Sequence, residues 1–286
     1  WPIALQEYSL GGAGNIVNNL NTLGCKDLLA FGIIGNDPWG EKLMQKLNEL
    51  NVNSEGMIIQ EQCWDTPSYV KPYKGKNELN RIDFGNFNKL DSQTLNRLLS
   101  LVEQNLQNQD IVIISQQIAG SLFVDEFIEK LLILIDKFCD TLFIVDSRHN
   151  SDDFPSAILK LNDFTAERMV GNKNPKATIL SRENAIKTAK KLYKKFKKTI
   201  FITRGINGCI LVDEGVIKEI PSIKITGKID TVGAGDSMLA GICIGLVSGE
   251  DAYNSACLGN IAAAVSIQKL YQTGTVSPEE LLMMAS

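Results

Sequence analysis

Histidine is almost missing from these 286 residues: His149 is the only one. That excludes a His-rich metal centre and most His-based catalysis, so any general base is expected to be a carboxylate. A basic excess is missing too. Lys and Arg total 29 against 33 Asp and Glu, a formal charge of −4, which leaves no footprint for nucleic acid. No apolar run approaches the length of a membrane span and no signal peptide is visible, which predicts no membrane partner and a cytoplasmic chain. The six cysteines (25, 63, 139, 209, 243, 257) include no C-x-x-C pair. Cys25, Cys139, Cys209 and Cys243 lie among apolar neighbours, so the thiols are expected to be reduced and mostly buried, without disulfides or zinc. Repeats, low-complexity tracts, linkers and a G-x-x-x-x-G-K-[ST] phosphate loop are absent as well.

What is present is an alternation. Short β-rich runs, "LLAFGII" (28–34), "DIVIIS" (110–115), "TLFIVDS" (141–147) and "TIFITRG" (199–205), are separated by "GEKLMQKLNELN", "SLFVDEFIEKLLILIDKFC" and "ENAIKTAKKLYKKF", which have helical apolar spacing. This predicts βαβ units: an α/β fold with a mostly parallel central sheet and helices on both faces. The lysine run 187–198 fits the solvated face of the last of these helices. Two regions interrupt the pattern. Residues 57–84 predict short antiparallel strands with a hairpin tip at 74–77, a candidate lid, and 208–220 predict a hairpin turning at 213–215. After Asp236 the chain is expected to be helical almost to its end, with Ser277 capping a last helix.

Four stretches can carry chemistry. In "GGAGNIVNNLNTLG" (11–24), glycines before a helix allow close backbone approach, which suits either tight helix packing or a ligand; Asn15 is the residue suited to a hydroxyl-rich one. It is not a dinucleotide fingerprint, because the third glycine position is Val17. "FITRGINGCIL" and "VDSRHN" deliver Thr203 and Arg204, and Asp146 and Arg148, to the carboxyl edge of a parallel sheet, where such folds bind ligands. "DTVGAGDSMLAGICIGLV" (230–247) has two readings. Asp236 can cap a helix, or the amides of Gly233, Ala234 and Gly235 at the positive helix end can surround a phosphoryl group while Asp236 takes a proton from an attacking hydroxyl.

The order "GGAGN", "GNDPWG" (35–40), "TRGINGCIL", "DTVGAGD" and "GNIAAAVSIQKLYQTGTVSP" resembles the ribokinase-like (PfkB) family of carbohydrate kinases over nearly the whole chain. Within it, "NRIDF" (80–84) and "GTVSPEEL" (274–281) look most like the kinase domain of heptose-phosphate kinase/ADP-heptose synthase enzymes. The resemblance implies one domain over 1–286, a three-layer α/β/α fold with a small β-sheet lid within 57–84, and ATP-dependent phosphorylation of a sugar or sugar phosphate. It implies Asp236 as base and the 233–235 amides as anion hole. Acceptor contacts fall on Gly11, Gly12, Asn15, Asp37 and Arg81, with Arg148 meeting a phosphate already on the sugar or pairing with Asp152 or Asp153. ATP contacts fall on Asn162, Thr203, Gly205, Gly208, Thr231 and Asn260. Magnesium is expected to arrive on ATP phosphates, without a protein metal cage, K+ to sit near Asp230 and Val232, and two lids to pair in a homodimer.

Two features depart from the family pattern. The usual first strand with its Gly-Asp pair is not found before Gly11, so the expectation is a fragment or a sheet lacking that strand. The N-x-x-E motif is degenerate, with Asn162 followed by Thr165 and then Glu167. A nucleoside kinase of the same fold and a sugar- or nucleotide-binding pseudo-kinase are the alternatives.

Overall fold

The computed structural model describes residues 2–75, 77–118, 122–172, 179–270 and 272–285. In chain order its elements are α1 (Ala13–Thr22), β1 (Leu29–Gly35), α2 (Pro38–Glu49), β2 (Asn53–Gln60), β3 (Ser68–Val70), β4 (Tyr73–Lys74), β5 (Asn77–Glu78), β6 (Ile82–Phe84), α3 (Ser92–Leu106), β7 (Ile111–Gln116) and α4 (Asp125–Lys137). There follow β8 (Leu142–Ser147), β9 (Ile158–Asn162), α5 (Asp163–Met169), α6 (Arg182–Phe196), β10 (Ile200–Thr203), β11 (Cys209–Asp213), β12 (Val216–Ile220), α7 (Ala234–Val247), α8 (Ala252–Ser266) and α9 (Pro278–Ala285). The chain forms two compact units. The larger holds Trp1–Lys26, Gln109–Gln117 and Phe138–Ser286, and the smaller Asp27–Asn108 and Ile118–Lys137.

The larger unit is built on a six-stranded sheet of order β12-β11-β10-β9-β8-β7. From β7 to β10 the pairing is parallel, and the hairpin 209–220 adds the two antiparallel strands at one edge. Strands buried on both faces read as unbroken apolar runs, and Ile144, Val145, Leu159, Ile200, Phe201 and Ile202 are all fully buried. On α6, Ala185, Ala189, Leu192 and Phe196 face inward while the lysines of the basic run are exposed. α7 is apolar around its whole circumference, as a helix buried on all sides must be. It meets α8 through glycines: a Cβ on Gly241 would stand 2.7 Å from the Gly259 Cα, and one on Gly245 2.7 Å from the Ser255 Cα.

The smaller unit pairs β1 and β2 in parallel and carries two small antiparallel pairs, β3 with β6 and β4 with β5. The expected antiparallel excursion from residue 57 therefore needs correcting. Met57–Gln60 complete a parallel strand, with Ile58 and Gln60 buried, and antiparallel pairing starts at Ser68. The hairpin tip lies where expected, although Lys76 is outside the described residues. The cysteines also need correcting. All six are free, but only Cys209 and Cys243 are buried, and Cys63 and Cys139 are exposed. Burial in an apolar core pushes the Cys209 thiol up to about 12, so it is a packing group rather than a nucleophile. No described helix is long and apolar enough to cross a membrane.

Candidate active site

α7 begins on Gly233, whose φ of 82° is a left-handed conformation that glycine adopts without strain. A Cβ there would also collide with Asn15 Nδ2 at 2.7 Å. Glycine is thus required at residue 233 for two reasons. The Ala234 N–H turns back to the Thr231 carbonyl at 3.3 Å and the Asp236 N–H to the Gly233 carbonyl at 3.0 Å. The N–H groups of Gly233 and Gly235 have no such acceptor among the described residues, so the expected three-amide cradle has two open donors at the positive end of α7.

Asp236 lies in the first turn of α7. Burial pushes its proton affinity above the ordinary carboxylate value. A hydrogen bond from Asn15 and the charges of Lys160 and Arg148 oppose that rise, and the nearby Asp146 adds to it. The Asn15 side chain donates from Nδ2 to Asp236 Oδ2 at 2.8 Å. Asn15 comes from the start of α1, where the glycine-rich turn ends on Gly12 with φ 50°. Residues 11–15 and 233–236 thus meet directly. A third stretch joins them, since Ser237 Oγ and Asn19 Nδ2 both reach the Gly274 carbonyl at 3.4 Å.

Lys160 was not anticipated. It lies on β9, is only 5% exposed, and donates from Nζ to Asp146 Oδ2 at 2.8 Å. A Cβ on Gly235 would stand 3.1 Å from this ammonium. An ammonium has three donors, and Asp146 is its one hydrogen-bonded acceptor among the described residues. A buried cation with spare donors beside a helix N-terminus suits an anion. The signal in the sequence was a charged residue inside "ILKLN", a run otherwise apolar enough for a fully buried strand.

Just beyond β8, the backbone turns tightly around Ser147. Its Oγ accepts from the N–H of Asn150 at 2.8 Å, while the Arg148 N–H donates to the Gln116 carbonyl at 2.9 Å. The turn leaves the Arg148 side chain exposed and without an ion pair among the described residues. The neighbouring acids are engaged elsewhere, Asp152 near Arg168 at 4.0 Å and Asp153 by Asn150 at 2.8 Å.

The residues expected to line ATP are also in the larger unit. Asn162 ends β9 and caps α5, accepting the Thr165 N–H at 2.7 Å. Both oxygens of Glu167 are engaged, by Thr188 at 2.7 Å and Asn172 at 3.0 Å. Thr203 pairs with Asn162 at the carboxyl ends of β10 and β9. A single tight helical turn spans Gly205–Asn207, and Gly208 (φ 75°) lies so close to the Ile220 carbonyl that any Cβ would clash. Asn260 Nδ2 donates to the Pro221 carbonyl at 2.8 Å. An open cleft of about 400 Å3 is lined by Lys228, Ile229, Asp230, Thr231 and Leu270. In it Asp230 Oδ1 accepts the Val232 N–H at 3.0 Å.

Two expected acceptor contacts belong to the smaller unit. Asp37 caps α2 through the Gly40 N–H at 2.8 Å, and its other oxygen takes the Thr66 N–H at 2.7 Å. Arg81 forks onto Asp83 at 2.6 and 2.8 Å and stacks over Tyr69 at 4.0 Å. Both side chains already have structural work in their own unit.

The pfkB family carbohydrate kinase model matches residues 5–279. Similar curated proteins include the bifunctional protein HldE of Hydrogenovibrio crunogenus, 27% identical over 285 residues and covering 98% of this chain and 55% of that protein. HldE of Sulfurimonas denitrificans is 26% identical, with 98% and 57% covered. The chain thus spans about half the length of these relatives. Among solved structures, Thermotoga maritima ribokinase has a TM-score of 0.75 at 21% identity, covering 96% of this chain and 87% of that one. Escherichia coli phosphofructokinase-2 in complex with potassium has a TM-score of 0.75 at 20% identity, covering 96% and 86%. At these identities the structures establish the fold, which is ribokinase-like.

Proposed function

The chain belongs to the pfkB family of carbohydrate kinases, and from that premise we propose that it transfers the γ-phosphoryl group of ATP to a hydroxyl of a sugar or sugar phosphate, with Asp236 as the base. The observation that carries this reading is the Asp236 carboxylate, held by Asn15 beside the open Gly233 and Gly235 amides and the Lys160 ammonium. Asp236 takes the proton of the acceptor hydroxyl, the freed oxygen attacks the γ-phosphorus, and the bond to the leaving ADP oxygen breaks. The amides and Lys160 meet the negative charge that spreads over the phosphoryl oxygens. Burial raises the proton affinity of Asp236, which makes it a better base than an exposed aspartate once ionised.

Thr203, Gly205, Gly208, Thr231 and Asn260 are the proposed nucleotide edge, with Asn162 at its start. Magnesium bound to ATP phosphates supplies further charge neutralisation. Because Asn162 and Glu167 are committed to α5 and α6, neither is assigned to the metal. K+ beside Asp230 and Val232 remains part of the proposal. Arg148, exposed and without an ion pair among the described residues, favours an acceptor that already carries a phosphate. Gly11 and Gly12 are the proposed acceptor contacts of the larger unit, beside Asn15.

The test is a coupled ADP-release assay over ribose, fructose, fructose 6-phosphate, a heptose 7-phosphate and adenosine. Turnover of a phosphorylated sugar, lost selectively in Arg148→Ala, is expected. Turnover of adenosine alone would favour a nucleoside kinase, and ATP binding without turnover of any acceptor would favour a binding protein; either result overturns the reading.

A further inference from the structure

The turn after β8 is held more firmly than a connection between elements requires. Gln116, buried at the end of β7, takes the Ser147 hydroxyl on its Oε1 at 2.6 Å and the His149 N–H at 3.1 Å. Ser147 Oγ in turn accepts the N–H groups of His149 at 3.2 Å and Asn150 at 2.8 Å, and Ser151 Oγ donates to the Ser147 carbonyl at 2.6 Å. This bracing fixes the backbone that presents Arg148 and His149, both exposed. A third cation faces them from α5. Partial desolvation, the charge of Arg168 and that of Arg148 together hold the His149 imidazole below its ordinary proton affinity. Arg168 Nη2 is buried and has no hydrogen-bond acceptor among the described residues. Its one ion-pair partner there, Asp152 Oδ1, stands 4.0 Å away, with both side chains partly open to solvent. A buried donor left without an acceptor is costly, and an acceptor that enters beside it relieves the cost.

Two guanidinium groups and an imidazole brought together in this way repel one another, and an anion between them turns that repulsion into attraction. We propose that Arg148, His149 and Arg168 form one subsite for the phosphate group of a substrate. The guanidinium forks and a protonated imidazole are the donors that a tetrahedral dianion accepts best. The proposal rests on the kinase reading only for which substrate delivers the phosphate, the acceptor or the nucleotide. Arg148 also acts on Asp236, so a phosphate held here lies within electrostatic reach of the proposed base, as the far end of a small phosphorylated sugar would. His149 is mostly neutral at pH 7 in the free protein, because its proton affinity lies below the ordinary value. It takes up one proton from solvent as the dianion arrives.

Because His149 is the only histidine, the imidazole 1H–15N signals of the untagged protein report on this subsite without assignment. Their pH titration is recorded at one ionic strength in chloride, in inorganic phosphate and in sulfate, a dianion that does not itself titrate there. Phosphate and sulfate are expected to raise the proton affinity of His149 about tenfold over its value in chloride. Arg168→Ala should raise it in chloride, because a neighbouring positive charge is gone, and should weaken phosphate binding about tenfold. The same titration in wild-type protein with all three salts overturns the proposal, and so does an unchanged phosphate affinity in Arg168→Ala. The phosphorylated sugars of the assay panel and ADP then identify the carrier, which is whichever of them shifts His149; a shift with none of them also overturns the proposal. Failure of the kinase reading shows elsewhere, as no turnover of any acceptor, and would leave the phosphate-linked titration standing.

Discussion

Asp236 meets two opposing demands, since a base must be ionised to work and burial favours the protonated form. Its proton affinity is raised on folding, so the stability it contributes is present at low pH and is lost as pH rises through the folded-state value. Asp236→Asn removes a buried charge, and the variant is expected to melt above the parent at neutral pH, with the gain shrinking toward pH 4. Thermal unfolding across that range checks this. A gain in stability at the residue that carries the activity is the trade-off expected of a strained site. Gly233→Ala should have the opposite character. It forces a side chain into a left-handed turn and against Asn15 Nδ2, so it should lower both Tm and turnover. At this scale the sequence was legible in the placement of Gly233–Asp236 as the turn that opens α7. Lys160 was not legible, because it acts through Asp146 on a neighbouring strand, nor was the link from Asn19 to the Gly274 carbonyl, far along the chain.

At the scale of elements, glycines determine how α7 and α8 pack. A Cβ on Gly259 would stand 2.5 Å from the Met238 carbonyl and 2.8 Å from Ile242 Cγ1, contacts that backbone cannot relieve. Gly259→Ala is therefore expected to destabilise by about 1–3 kcal/mol, the usual cost of overpacking, measured by denaturant unfolding. In the smaller unit, Asp37→Ala removes the α2 cap and the tie to Thr66 together. A loss of about 1 kcal/mol, with little change in acceptor KM, is expected if its role is the cap; a KM effect alone would restore the acceptor contact. Helical periodicity and alternation located most elements, including the 209–220 hairpin. β9 was missed because Lys160 breaks its apolar run. The start of the lid was misplaced because Met57–Gln60 belong to β2, whose partner β1 lies far back in the chain.

At the scale of the molecule, the lid strands expose Tyr69, Tyr73, Ile82 and Phe84, and the turn after them exposes Phe87 at 95%. Ile82 and Phe84 share one face of the β3–β6 pair and Tyr69 lies on the other, and such exposed apolar groups predict self-association. A dimer in sedimentation velocity is expected, and the pair Tyr73→Glu with Ile82→Lys should shift it to monomer. An unmodified dimer in that double variant would move the interface elsewhere. The ribokinase-like fold was legible from the order of five motifs over the whole chain, whereas the acceptor was not, because the lid residues that would select it are short and local. The most direct test of the account is turnover by Asp236→Asn, with ATP binding measured by calorimetry on the same protein. Loss of turnover by at least about 10²-fold, with ATP affinity retained, is the predicted result; near-parental turnover would contradict it.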